Sequence, residues 1–147
     1  MSKPATKATG MSVMPIIAVD SVDDLHRFYT EKLGFSRVMG VVGKDGQFDF
    51  VAVVLGGASI MFTRSRERMD GTRPSDGNRP VEIYLEVEDV DAYHDEVKQR
   101  GVKITSPLTT QWWGDRTFKI VDPYGYQIWF HQKNVGEIKP PQGAKIV

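Results

Sequence analysis

The side chains best suited to chemistry lie at alternating positions of two predicted strands in the second half of the chain. Glu82 and Tyr84 alternate with apolar residues along Val81–Val87, and Trp129 and His131 alternate near the end of a later strand. Side chains of a strand point to its two faces in turn, so these groups should share one face of a sheet. A carboxylate beside an indole ring favours a bound cation, and aromatic rings stack on flat molecules.

An internal repeat gives these positions counterparts in the first half of the chain. Residues 19–26 align with residues 87–94 at a shift of 68, with four of eight positions identical. The same shift places Gly57–Phe62 on Gly125–Phe130, which share Gly, Ile and Phe. We therefore predict one domain at residues 11–132 built from two modules. Its parts are module 1 (11–64), a linker (65–79) and module 2 (80–132), with flexible tails at 1–10 and 133–147.

Each module is predicted to contain a strand, a helix and three further strands. Ser21 and Asp89 suit the helix N-caps, and Gly34 and Gly101 suit the residue that ends each helix. The expected fold is α+β, with two tandem βαβββ modules forming a curved mixed sheet around a cavity. The predicted strands of module 1 are Val13–Val19, Phe35–Val42, Gln47–Leu55 and Ala58–Thr63, and the first strand of module 2 is Val81–Val87.

Alternation divides each strand into an apolar face, which should cover the helices, and a mixed face, which should line the cavity. The shift of 68 residues pairs Met14 with Glu82 and Met61 with Trp129. Methionine adapts to irregular shapes, and aromatic rings offer flat contact surfaces. The predicted ligand-binding residues are Met14, Ile16, Met61, Glu82, Tyr84, Trp112, Trp113 and Trp129. They could equally fill space or pack at an interface without binding anything.

Three further expectations concern charged and titratable side chains. A buried Glu82 would have a raised pKa and could act as a general base, assisted by His131 or Tyr84. Asp115 and Arg116 should form a local ion pair. The remaining two histidines, His26 and His94, should lie on helix surfaces.

Composition excludes several classes of function. Lysine plus arginine equals aspartate plus glutamate, so the formal net charge is zero, which argues against nucleic acid or an anionic membrane as partner. Cysteine is absent, which excludes disulfides and thiolate metal sites and suits a reducing cytoplasm. No apolar run reaches the ~18–20 residues that span a bilayer, and no apolar stretch of a secretory signal follows the first lysines. A cytoplasmic protein without a cofactor is therefore expected.

Two motifs resemble the vicinal oxygen chelate superfamily, which includes glyoxalase I, extradiol dioxygenases, fosfomycin-resistance enzymes and bleomycin-resistance proteins. The first is Val-x-x-Val-x-x-x-x-x-Phe-Tyr-x-x-x-Leu-Gly-Phe at Val19–Phe35. The second is Asp-Pro-x-Gly-x-x-Ile at Asp122–Ile128, and Trp113–Arg116 looks like the bleomycin-resistance and related glyoxalase-like branches. The resemblance covers about residues 11–132 and implies the βαβββ fold named above.

The resemblance also implies where a metal would bind, since metal-using members place ligands on the first and last strand of each module. The matching positions here are Met14, Met61, Glu82 and Trp129, and of these only Glu82 can bind a hard divalent cation. The sequence therefore predicts no metal site and lies closest to the metal-free bleomycin-resistance-like branch. Those proteins are dimers, which implies a homodimer here.

Three functions remain open at this stage. The first is a metal-free protein that binds or sequesters a flat aromatic compound, which could be cationic, as in antibiotic resistance. The second is an enzyme, either a glyoxalase-like lyase or isomerase with Glu82 as general base or a metal-dependent member of the superfamily. The third is a structural or regulatory module whose core is filled and admits no ligand.

Overall fold

The computed structural model describes residues 13–64 and 81–147, and the predicted tail at 1–10 and linker at 65–79 lie outside these residues. Two βαβββ modules form two four-stranded mixed sheets, with strand orders β1-β4-β3-β2 and β5-β8-β7-β6. The predicted α+β fold is confirmed. The strands of the first sheet are β1 (Ile16–Val19), β2 (Ser36–Val42), β3 (Phe48–Leu55) and β4 (Ala58–Arg64). Those of the second are β5 (Ile83–Glu86), β6 (Ser106–Thr110), β7 (Arg116–Val121) and β8 (Gln127–Gln132).

In each module, one helix packs against the buried, apolar face of the sheet. Helix α1 spans Val22–Arg27 and continues as a π-helical turn over Phe28–Lys32, while α2 spans Val90–Gln99. Their first turns are capped as predicted: Ser21 Oγ accepts from the amide of Asp24, and Asp89 Oδ1 accepts from the amide of Ala92. After each helix the chain turns at a glycine with positive φ, +82° at Gly34 and +85° at Gly101.

The predicted division of the strands into two faces holds for the first and last strand of each module, which are β1, β4, β5 and β8. On β5, Ile83 and Leu85 are buried while Tyr84 and Glu86 are exposed. The buried faces and the helices form one core, to which Val22, Leu25 and Tyr29 contribute from the first helix. The expected strands Val13–Val19 and Val81–Val87 were too long, because only Ile16–Val19 and Ile83–Glu86 pair with a neighbouring strand.

The two modules pack against each other within the chain. The hydroxyl of Tyr29 donates to Asp122 Oδ2 in the turn between β7 and β8 over 2.9 Å, and both groups are buried. The Tyr93 hydroxyl donates to the carbonyl of Leu33 over 2.6 Å. Among the described residues, no helix is long and apolar enough to cross a membrane.

Candidate functional site

The mixed face of the second sheet carries a cluster of rings. We call Tyr84, Trp113, Trp129 and His131 the aromatic wall. Tyr84 lies at the centre, with its ring centroid 4.0 Å from that of His131 and 5.8 Å from that of Trp129. Trp113 lies edge-on to Trp129, with centroids 6.2 Å apart. Strand pairing explains this proximity, because β5 and β8 are parallel neighbours with Tyr84 opposite Trp129.

Hydrogen bonds hold Tyr84 and Trp113 of the wall in place. The Tyr84 hydroxyl accepts a bond from Trp113 Nε1 over 3.0 Å and donates one to Asp115 Oδ2 over 2.6 Å. Partial burial and the bond to Asp115 raise the pKa of Tyr84 to about 12, so it stays a neutral donor. Trp113 and Asp115 come from the loop between β6 and β7. This loop thus contributes one ring and one carboxylate to the wall.

Glu82 lies beside Trp129, and its carboxylate already has two partners within the chain, Trp129 and Lys119. Its Oε1 accepts from Trp129 Nε1 over 3.0 Å and lies 3.1 Å from the ammonium of Lys119. The same ammonium lies 4.3 Å from the centre of the Trp129 ring. The expectation of a buried Glu82 with a raised pKa is wrong. Its side chain is 44% exposed, and the bonds from Trp129 and Lys119 lower its pKa from the usual 4.5.

Asp115 and His131 form a second polar pair on the wall. His131 Nδ1 lies 3.3 Å from Asp115 Oδ2, and both side chains are less than one-fifth exposed. Burial lowers the pKa of His131 below its usual 6.5, against the opposing effect of Asp115. The expected ion pair of Asp115 with Arg116 is wrong, since Arg116 instead binds Asp91 at 3.0 Å.

The histidines on the helices are both half-buried. The His94 side chain is only 15% exposed and lies edge-on to Phe118, with ring centroids 5.1 Å apart. Only part of its ring therefore lies at the predicted place on the helix surface. His26 is partly buried against Phe48, at a centroid distance of 5.0 Å. Neither residue belongs to the aromatic wall.

A groove of about 450 Å³ runs along the seam between the two modules. It brings together three residues of the predicted ligand-binding set, Ile16, Glu82 and Tyr84. Met61 lies opposite Ile16 in the pairing of β1 with β4, and Met14 precedes β1 and is 47% exposed. Trp112 lies away from this groove, in a second one with Gln111, Glu137 and Lys139, although its ring contacts Trp113. The binding role of the predicted set stays a prediction.

The face of the first sheet that matches the wall is apolar. Met39 and Val41 lie opposite Ala52 and Phe50 in the pairing of β2 with β3, and Ala52 lies opposite Met61. Met39 is 53% exposed and Val41 44% exposed. The two modules thus differ in chemistry, with charges and four rings on the second and mainly apolar side chains, Phe50 among them, on the first.

The donors at the strand positions where metal-using relatives bind their ion do not fit a metal. Two are thioethers and one is an indole, which bind hard cations poorly or not at all. The fourth, Glu82, already holds Lys119 and Trp129. Within residues 13–64 and 81–147, no three His, Cys, Asp or Glu side chains cluster closely enough to hold an ion.

Sequence reasoning missed Lys119 and the pairing of Asp115 with His131. Lys119 follows Thr117 and precedes Val121 at alternating positions of β7, between the buried Phe118 and Ile120. That alternation could have placed Lys119 on the same face as Trp129, which lies opposite it across β7 and β8. Asp115 lies in a loop, where no periodicity points to its partner.

Known proteins share this fold and sequence pattern. An uncharacterized protein of Mycobacterium bovis is 30% identical over 119 residues, which cover 78% of each chain. TioX from Micromonospora sp. ML1 has a similar crystal structure, with a TM-score of 0.68 and 21% identity over 84% of this chain and 98% of TioX. The fosfomycin resistance protein FosX from Listeria monocytogenes, solved with Mn(II) and sulfate, has a TM-score of 0.60 and 14% identity over 86% of this chain and 93% of FosX. The family profile matches residues 12–130, and the chain belongs to the Glyoxalase/Bleomycin resistance protein/Dioxygenase superfamily.

Proposed function

We propose that this protein binds a flat aromatic small molecule, neutral or cationic, against the aromatic wall and without a metal. The observation that carries the proposal is the cluster of Tyr84, Trp113 and Trp129, whose rings lie side by side and are fixed by hydrogen bonds. Stacked and edge-on ring contacts contribute about 0.5–1.5 kcal/mol each beyond the area they bury. Sequestration, as in bleomycin-resistance proteins, requires only such affinity.

The charges on the wall disfavour an anionic ligand. Lys119 neutralises Glu82, so this pair adds no net charge. Asp115 has no Lys or Arg partner among the described residues and faces a histidine whose pKa lies below its usual value. One negative charge therefore remains beside the rings near neutral pH. A neutral or positively charged ligand suits this wall, with the cation near Asp115 rather than near Glu82.

The proposal includes a homodimer. The apolar face of the first sheet leaves Ile16 at 63% exposure and Met39 at 53%. Contiguous exposed apolar side chains of this kind often mark an interface. A second copy covering this face would enclose the open side of the groove.

A binding panel tests the proposal. Purified protein treated with a chelator is titrated with planar fused-ring compounds of different charge, namely proflavine (cationic), acridone (neutral) and 1-pyrenesulfonate (anionic). Tryptophan fluorescence and thermal shift are the readouts. We expect saturable quenching by the first two and weaker quenching by the third. No quenching and no thermal shift for any of the three would refute the proposed function.

A further inference from the structure

We propose that His131 and Asp115 act as a general-base pair, able to remove a proton from an acidic C–H group of a flat molecule bound at the wall. The inference rests on the proposed function, because the wall must first bind the molecule. It adds an activity to that function, since binding alone requires no proton transfer.

The two ring nitrogens of His131 have different surroundings. His131 Nδ1 lies 3.3 Å from Asp115 Oδ2, at ion-pair distance but outside hydrogen-bond geometry. Among the described side chains, this nitrogen is the buried polar atom left without a hydrogen-bond partner. The other ring nitrogen, Nε2, is not among the buried polar atoms that lack a partner, and it has no hydrogen bond to a described residue. In the proposed pair, Nε2 is the nitrogen that meets the ligand. If the proton of the neutral ring sits on Nδ1, toward the Asp115 carboxylate, the lone pair of Nε2 is available, which is the arrangement of a histidine base.

The surroundings hold the pair in position. The Tyr84 ring lies 4.0 Å from the imidazole, and its hydroxyl binds the same carboxylate oxygen of Asp115 that faces His131. The loop that carries Asp115 is further tied by the bond from the amide of Gln111 to the carbonyl of Asp115. Preorganised groups of this kind need little rearrangement during a reaction.

The protonation state of the pair suits a base. Burial is the main cause that lowers the pKa of His131, Lys133 lowers it further, and Asp115 and Glu86 oppose them. The imidazole is therefore neutral near pH 7 and can accept a proton. Once protonated, it carries a positive charge 3.3 Å from the carboxylate of Asp115, which stabilises that charge.

The Kemp elimination of 5-nitrobenzisoxazole tests this activity, since the substrate is a flat, neutral carbon acid. His131 Nε2 would take the proton from C3 as the C–H bond breaks. The electron pair of that bond forms the nitrile as the N–O bond breaks, and the product is the coloured 2-cyano-4-nitrophenolate. The imidazolium then loses its proton to water, so no other reactant is needed.

Three variants test the role of His131 as the base and of Asp115 as a positioning residue, with His94 as the control. We expect the wild-type protein to exceed the buffer rate and His131→Gln to reduce kcat at least about tenfold with little change in KM. His94→Gln, which alters a half-buried histidine outside the wall, should leave the rate unchanged. Asp115→Asn should reduce kcat and move the midpoint of the pH profile to lower pH, because the imidazolium loses its partner. A purely structural role for Asp115 would not move this midpoint.

The pH profile identifies the base independently. The rate should rise with pH to a plateau, with a midpoint below 6.5, whereas a rate that follows Tyr84 would rise near pH 12. If His131→Gln does not fold, the wild-type protein is carbethoxylated instead of using the variant. The extent of modification of His131 is then measured by mass spectrometry, and the loss of rate must increase with it. A wild-type rate equal to buffer, or a rate that survives loss of His131, would overturn the base pair. Continued binding of the planar panel in that case would leave the proposed function standing.

Discussion

The ammonium group of Lys119 lies over the indole ring of Trp129, 4.3 Å from its centre. The same group is 3.1 Å from the Glu82 carboxylate, so the chain provides its own cation where a carboxylate and an indole meet. A cationic ligand cannot use this position without displacing Lys119. The acceptor groups of the wall that hold no lysine or arginine of the described residues are therefore those of Asp115 and His131.

Removing this internal cation should strengthen the binding of a foreign one. In Lys119→Met, the Glu82 carboxylate and the face of the Trp129 ring lose the lysine ammonium. Proflavine should then bind about twofold to thirtyfold more tightly, because a cation on an aromatic face contributes about 0.5–2 kcal/mol. Fluorescence titration measures the change. Binding of 1-pyrenesulfonate should not improve, which separates charge from added apolar surface. Equal affinities of wild type and variant for proflavine would show that Lys119 does not occupy the cation position.

Acid should open the pair of Glu82 with Lys119. The folded-state pKa of Glu82 is lowered below 4.5, so the stabilisation of this pair is present above that pH and is lost as pH falls through the lowered pKa. Tryptophan emission should change over this range because the Glu82 carboxylate binds Trp129 Nε1. In Glu82→Gln this transition should disappear. Its persistence in the variant would assign it to another carboxylate.

The contact between the modules should be a strong determinant of stability. Tyr29→Phe removes the donor to the buried Asp122 and should reduce the free energy of unfolding by about 1–3 kcal/mol. Urea denaturation measures this loss. Tyr84→Phe serves as control, since Tyr84 is 42% exposed whereas Tyr29 is fully buried. Equal losses in the two variants would contradict the special role of the buried contact.

The strand alternation predicted much of the fold, including the buried faces of β5 and β8. The repeat predicted which positions correspond, and it placed Tyr84 and Trp129 on one face, where they meet. The repeat could not reveal Lys119. Lys119 lies opposite Trp129, and the residue opposite Met61 in module 1 is Ala52, whereas a shift of 68 residues from Lys119 leads to position 51. Such cross-strand partners depend on register, which local sequence patterns do not contain.

The segment after β8 should position the loop that carries Trp113. The amides of Val135 and Gly136 donate to the carbonyl of Gly114, and the amide of Lys139 donates to that of Trp112. A Cβ atom at Gly136 would lie 2.7 Å from Thr110 Cγ2. Gly136→Ala should therefore destabilise the protein by about 0.5–1.5 kcal/mol, because the exposed Thr110 side chain must turn away from the new methyl group.

The thermal midpoint of Gly136→Ala should fall by several degrees, and acridone should bind more weakly because the Trp113 loop shifts. Gly57→Ala is the matched control, since no atom lies within 4 Å of a Cβ placed there. An unchanged thermal midpoint and an unchanged affinity in Gly136→Ala would show that Thr110 moves aside without shifting the loop that carries Trp113.

The exposed apolar face should determine the oligomeric state. Light scattering is expected to give twice the chain mass of 16.5 kDa for the wild-type protein. The double substitution of Ile16 and Met39 by lysine should give the monomer, whereas lysine at the exposed Val121 should not change the mass. A monomeric wild-type protein would remove the homodimer from the proposal.

The most direct test is a titration of chelator-treated protein with acridone, comparing the wild type with Trp113→Ala. We expect saturable binding at one molecule per chain, unaffected by chelator or by added Mn(II), Zn(II) or Ni(II), and at least about tenfold weaker in the variant. Binding that appears only with an added metal, or that survives unchanged without Trp113, would contradict a metal-free aromatic wall.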